Sequence, residues 1–139
     1  MCFYSLFIYL YKHLQPQFRI CAHDVNEDVW VSDSIIKFGY WEVELAKWLN
    51  KLLGKLGNPT DVLYIDLGAN LGIHSLHAAK ANCTVWSVEP QEKNLHKVIC
   101  VIATFVVPET YFMLPINQYS PQPFLYNAYI VVHRFSYRM

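Results

Sequence analysis

The chain has 139 residues, of which 54 % are apolar and 16 % charged, the balance of a globular core rather than a disordered segment. Eleven basic and eleven acidic residues cancel, which removes the broad electrostatic footprint expected of a nucleic-acid or anionic-membrane partner. Cys2, Cys21, Cys83 and Cys100 show neither C-x-x-C spacing nor the density of a secreted disulfide scaffold, so free or buried thiols are expected.

The opening "MCFYSLFIYLYKHL" is apolar but is interrupted by Lys12 and His13. It falls short of the ~20 residues that span a bilayer. It also lacks the charged start and small-residue cleavage site of a signal peptide, which predicts a packed N-terminal helix or strand and leaves the cytoplasm as the default compartment. "HDVNED" is a polar turn cluster, "VWV" a short strand candidate, and Ser32, Asp33 and Ser34 are candidate caps for a helical turn over 35–38. Trp41, Leu45, Trp48, Leu49, Leu52, Leu53 and Leu56 recur at steps of three and four, predicting a helix with one buried face. Lys47, Lys51 and Lys55 fall on its solvated face, and Gly57-Asn58-Pro59 is expected to end it.

"DVLYIDLG" is an almost unbroken apolar strand of the kind buried on both faces. "GIHSLHAAKAN" follows as a helix whose small residues can press against a sheet, then "CTVWSVEP" as a strand and "QEKNLHKV" as the opening of another helix. The order strand, helix, strand, helix predicts an α/β fold with a parallel sheet and flanking helices.

The chemistry is concentrated in Asp66-x-Gly68-x-Asn70-x-Gly72 at the end of the first of these strands and Glu89 at the end of the second. Glycine accepts positive φ and close approach of a ligand, and asparagine is among the few other residues that tolerate the left-handed region. Unpaired N–H groups of the helix that follows are expected to face the same space. Glu89 lies 21 residues beyond Gly68, the distance at which an acid on the neighbouring strand reaches a ribose. A dinucleotide fingerprint would place glycine at the corner held by Asp66, whose charge opposes a pyrophosphate, and the Gly-Lys-Ser/Thr of a P-loop is absent. A carboxylate here suits a cofactor with a cationic end, such as S-adenosylmethionine, and disfavours half of a nucleotide-dependent oxidoreductase. His74 and His77 are three apart on one helix but have no third metal ligand nearby, and read as core or surface histidines.

The stretch "YIDLGANLGIHSLHAAKANCTVWSVEPQEKNL" resembles the cofactor-binding segment of FkbM-family methyltransferases, including the Asn70 variant of the loop, the Glu89-Pro90 pair and Asn94. The preceding "VSDSIIKFGYWEVELAKWL" is similar to the family's lead-in, and the resemblance covers roughly residues 24–98. It implies a Rossmann-like class I methyltransferase fold, S-adenosylmethionine as cofactor, and O-methylation of a sugar or other small hydroxylated acceptor. By the same resemblance Asp66 sits near the methionine part of the cofactor, Gly68, Asn70 and Gly72 form its loop, Glu89 binds the ribose, and Trp41 and Glu42 close from the lead-in side.

The chain accordingly divides into a lead-in over 1–61, the cofactor-binding βαβα unit over 62–98 and a divergent tail over 99–139. The helix runs into "VICVIATFVV" from Val98, and the tail from Ile99 onward has no glycine and carries prolines at 108, 115, 121 and 123. Only "YIVVHRFSY" reads as a strand there, with Tyr129, Val131, His133, Phe135 and Tyr137 on one face. A doubly wound sheet needs more units than ~40 residues hold, so a truncated methyltransferase without its acceptor side is expected. The alternative is a non-catalytic interaction protein that retains the cradle.

Overall fold

The computed structural model describes residues 7–11, 18–56, 58–105, 108–116 and 128–135, with side chains described over 18–56 and 58–101. Strands β1 (Phe7–Tyr11) and β2 (Phe18–Ala22) form an antiparallel pair, followed by helices α1 (Val31–Phe38) and α2 (Val43–Leu53). A 3-10 turn over Pro59–Asp61 leads into β3 (Leu63–Leu67), α3 (Ile73–Lys80), β4 (Thr84–Glu89) and α4 (Glu92–Phe105). Strands β5 (Pro108–Ile116) and β6 (Ala128–Phe135) complete a four-stranded sheet in the order β3-β4-β6-β5. The class is α/β, as the alternation of elements predicts. Only β3 and β4 run parallel, however, because β6 pairs antiparallel with both β4 and β5. The expected incomplete parallel sheet is therefore a mixed one.

Helix α1 begins earlier than its sequence suggests and replaces the expected "VWV" strand. The Asp28 carboxylate caps it, with Oδ1 accepting from the Val31 amide at 3.0 Å and Oδ2 accepting from the Ser32 amide and hydroxyl, both at 2.8 Å. Burial raises the Asp28 pKa, but these hydrogen bonds outweigh it and hold the carboxyl below its usual range. At the other end Gly39 takes φ of 79° and its N–H returns to the Ile35 carbonyl, a left-handed C-terminal cap.

Helix α2 is present but turned. Its buried residues are Ala46, Leu49 and Leu53, whereas Leu45, Trp48, Leu52 and Leu56 of the expected core face are exposed. The offset of one residue is about 100° of rotation. Ala46, the smallest side chain on the helix, is fully buried, and Leu49 and Leu53 join Ala78, Ala79 and Cys83 in one core cluster, so this is the face packed toward α3. The helix ends at Leu53 rather than near Asn58, whose side chain instead caps the 3-10 turn by accepting from the Thr60 amide. Gly57 lies outside the described residues. Lys47, Lys51 and Lys55 are solvent-exposed, and Lys47 pairs with Glu44 at 2.6 Å.

A second cluster joins Phe18, Ile20 and Cys21 of β2 to Val31 and Ile35 of α1, Leu71, Ile73 and Leu76 beside and within α3, and Val101 of α4. Helix α3 therefore bridges the two clusters. Cys21 and Cys100 are joined in a disulfide with Cα atoms 6.4 Å apart, so two of the expected free thiols are bonded; Cys83 is free and buried. Of the helix or strand expected near the N-terminus, residues 7–11 form a strand. Among the described residues no helix is long and apolar enough to cross a membrane.

Strand β3 departs from the fully buried strand its apolar run predicts. It alternates, with Asp66 buried and Tyr64 partly buried toward α3 while Leu63, Ile65 and Leu67 are exposed at 48 %, 49 % and 77 %. The reason is that, among the described residues, the helices pack on one face of β3 only, the face that carries Asp66 and Tyr64. In the tail, β6 coincides with the expected strand through Phe135, while Tyr137 lies outside the described residues. Strand β5 was hidden by its prolines, yet Pro108 is its first residue and Pro115 sits on the other edge of the sheet, positions where a missing N–H donor is tolerated.

Candidate functional site

The loop between β3 and α3 reverses the chain through three left-handed residues, Gly68 (φ 82°), Asn70 (φ 52°) and Gly72 (φ 83°), the positions that glycine and asparagine mark in the sequence. A Cβ placed on Gly68 would meet nothing within 4 Å, so the loop opens onto free space there. At Gly72 the same Cβ would lie 3.3 Å from Val98 Cγ2, so this glycine lets α4 pack against the start of α3. One glycine serves approach from outside and the other serves internal packing.

The end of β4 holds this loop. The Gly68 and Ala69 amides both donate to the Val88 carbonyl, at 2.9 and 3.0 Å, and the Asn70 amide donates to Glu89 Oε2 at 2.7 Å. Glu89 Oε1 accepts from the Gln91 amide at 2.8 Å, so one buried carboxylate ties the glycine loop to the entry of α4. The Gly72 amide donates to the Ala69 carbonyl. Four N–H groups of the loop itself, those of Gly68, Ala69, Asn70 and Gly72, are thus engaged within the protein. A pyrophosphate would compete with carboxylate and carbonyl for them, whereas a ligand without phosphate leaves them in place.

Asp66 lies on the helix side of β3, where its Oδ2 accepts from Ser75 Oγ at 2.6 Å. Ser75 Oγ is 2.7 Å from Ser87 Oγ. Because the single Ser75 proton is directed at the carboxylate, Ser87 donates to Ser75. This buried relay connects β3, α3 and β4 and orients Asp66. Tyr64, on the same face of β3, has its hydroxyl pKa pushed up to about 12 by burial and then by the charge of Asp66. The serines went unmarked in the sequence reading, although Ser75 is nine residues beyond Asp66 and one helical turn past the loop.

On the lead-in side, Glu42 takes φ of 48°, an outlier for a side chain of its size, and accepts from His74 Nε2 at 3.0 Å. His74 Nδ1 is buried and has no hydrogen-bond partner among the described residues. Trp41 is partly buried against the cluster containing Leu71 and Ile73. The structure thus brings Trp41 and Glu42 to the start of α3, next to the loop. Asn94 accepts from His23 Nε2 at 2.8 Å and fastens the polar turn after β2 to the first turn of α4. His77 is wholly buried and packs edge-on against Phe18 with ring centroids 4.8 Å apart. Burial, and then the neighbouring His74, push its pKa down to about 4. Among the described residues no three His, Cys, Asp or Glu side chains gather as a metal site.

These side chains define a strand-end cradle: an open glycine corner, two buried carboxylates on neighbouring parallel strands, and a lead-in acid beside the following helix. Comparison with family models, curated proteins and solved structures finds no match to the chain.

Proposed function

We propose that the chain is a methyltransferase of the FkbM type with a Rossmann-like class I fold, using S-adenosylmethionine to O-methylate a sugar or other small hydroxylated acceptor. The observation that carries this reading is the left-handed loop of Gly68, Asn70 and Gly72 at the carboxyl end of β3, clipped to Glu89 at the end of its parallel neighbour β4. The residues fit the cofactor: Gly68 faces open space, and the loop amides are engaged within the protein, as suits a ligand that carries no phosphate. When bound, S-adenosylmethionine supplies an electrophilic methyl group on a sulfonium.

Asp66, held by Ser75, contributes negative charge near the cationic end of such a ligand. Glu89 holds Asn70 and Gln91 with one hydrogen bond to each oxygen, and an ionised carboxylate has about four acceptor sites, so capacity remains for ribose hydroxyls. Titration calorimetry with S-adenosylmethionine tests the reading. Binding is expected, and Glu89→Ala should weaken it about tenfold or more, the value of a hydrogen bond to a charged group. Gly68→Val should abolish it by filling the open corner with a β-branched side chain at positive φ. Absence of heat from a folded sample refutes it.

The second reading, a non-catalytic interaction protein, draws on the apolar stripe of Leu45, Trp48, Leu52 and Leu56, all exposed on or just beyond α2. Cofactor binding that survives only in the cradle-intact protein favours the enzyme; a folded protein that ignores the cofactor favours this alternative.

A further inference from the structure

One sequence motif takes no part in the cradle. Asn82-Cys83-Thr84 has the Asn-x-Thr form of an acceptor for an N-linked glycan. Elsewhere an asparagine stands two residues before a serine or threonine only at Asn58-Pro59-Thr60, where proline in the middle position blocks the reaction.

The fold presents Asn82 as such a modification requires. It is solvent-exposed in the turn between α3 and β4, with φ of 66°, in the left-handed region that asparagine tolerates. An unpaired sheet edge is not the cause of this exposure, because β4 has strand neighbours on both sides, β3 and β6. The turn enters β4 at its amino end, whereas Glu89 and the glycine loop stand at the carboxyl end, one strand length or about 20 Å away. A bulky group at Asn82 leaves the cradle accessible.

An independent observation concerns the compartment. Cys21 and Cys100, 79 positions apart, are joined in a disulfide. Such bonds persist in the secretory lumen and outside the cell, while the cytoplasm keeps thiols reduced. The bond therefore moves the chain from the cytoplasm to the compartment in which glycan is transferred to asparagine.

We infer that Asn82 carries an N-linked glycan, attached before this part of the chain folds. In that step the side-chain amide nitrogen bonds to the anomeric carbon of an oligosaccharide carried on a polyprenyl pyrophosphate. The bond from that carbon to the pyrophosphate oxygen breaks, the pyrophosphate leaves with the electron pair, and the nitrogen releases one proton to solvent. The order of events follows from Cys83 and Thr84. In the folded chain Cys83 is wholly buried with its amide donating to the Ala78 carbonyl, and Thr84, whose hydroxyl completes the acceptor, is paired between Leu63 and Arg134. A transferase that grips all three residues meets them only in the unpaired chain. None of this depends on S-adenosylmethionine binding.

Treating the protein isolated from the cells that make it with an amidase specific for N-linked glycans tests the inference. The band should move to lower apparent mass, and mass spectrometry should find Asn82 converted to aspartate with Asn58 unchanged. Expressed in the same cells, Asn82→Gly, which suits the left-handed turn, and Thr84→Ala should abolish the shift, whereas Thr84→Ser should keep it. Unglycosylated chain from a bacterial host should be modified by transferase-bearing microsomes when reduced and unfolded, and resist them when folded. Isolated protein that the amidase leaves unmoved overturns the inference, as does a shift that survives Asn82→Gly. Cys21 and Cys100 both open to alkylation on isolation overturn the compartment, and folded chain modified as readily as unfolded overturns the order of events.

Discussion

His77 should make the protein sensitive to mild acid, and the structure sets the size of the effect. The imidazole is wholly buried between α3 and β2, and its pKa is pushed down to about 4 from an ordinary 6.5 by burial, reinforced by His74. In the unfolded chain the ring binds a proton as the pH falls through about 6.5, while in the folded chain it resists protonation until about 4. Over that window the unfolded state holds more protons, so acid favours unfolding; below the folded pKa the loss levels off. For these two values the loss relative to pH 7 amounts to about 2 kcal/mol at pH 5 and about 3 kcal/mol at pH 4. That is a large share of the ~5–15 kcal/mol that holds a typical domain together. Urea denaturation of wild type and His77→Leu at a series of pH values isolates this contribution, because the other histidines are common to both proteins. The stability difference between them should swing by about 3 kcal/mol in favour of the variant between pH 7 and pH 4. A difference that stays flat over this range would show that the ring is protonated without disturbing the fold, and would refute the reasoning.

Three further outcomes follow from the same geometry. Asp28→Ala should cost about 1–2 kcal/mol in urea denaturation by removing the cap of α1. Gly72→Ala should cost at least about 1–2 kcal/mol from the left-handed backbone alone, and adding Val98→Ala should relieve the steric part of the loss but leave the backbone part, measurable as a double-mutant cycle. Reducing the Cys21–Cys100 disulfide should lower stability by about 4 kcal/mol in the chain-entropy account, seen as an earlier urea midpoint in reductant and reproduced by Cys21→Ser without it.

The βαβα order from β3 to α4, and the residues that turn left-handed between β3 and α3, are legible in the sequence because they depend on local signals: an apolar run, glycine spacing and a small-residue helix. What escaped depends on partners distant along the chain. Helix α2 was recognised by its period, but the side it buries is the one on which Leu49 and Leu53 meet Ala78 and Ala79 of α3, while the larger Trp48 turns outward. The start of α1 followed from Asp28 reaching forward to Val31 and Ser32, while attention to serines nearer the apolar residues places the cap too late. Two cysteines separated by 79 positions carry no sign of pairing until β2 and α4 are packed together. At the site, Asp66 and Glu89 stood out as acids at strand ends, but their companions are a serine pair and backbone amides, which ordinary composition conceals.

The Cys21–Cys100 link also changes the topology of the molecule. It closes a covalent ring that contains α1, α2, α3, the β3–β4 pair and the first nine residues of α4, with Asp66, Gly68, Asn70, Gly72 and Glu89 all inside it. A protease that cuts once within that ring opens it into two stretches still joined through sulfur. Nicked protein would therefore run near full length until thiol is added, and fragments on either side of a cut at the exposed stretch between α2 and β3 would stay together as a complementing pair.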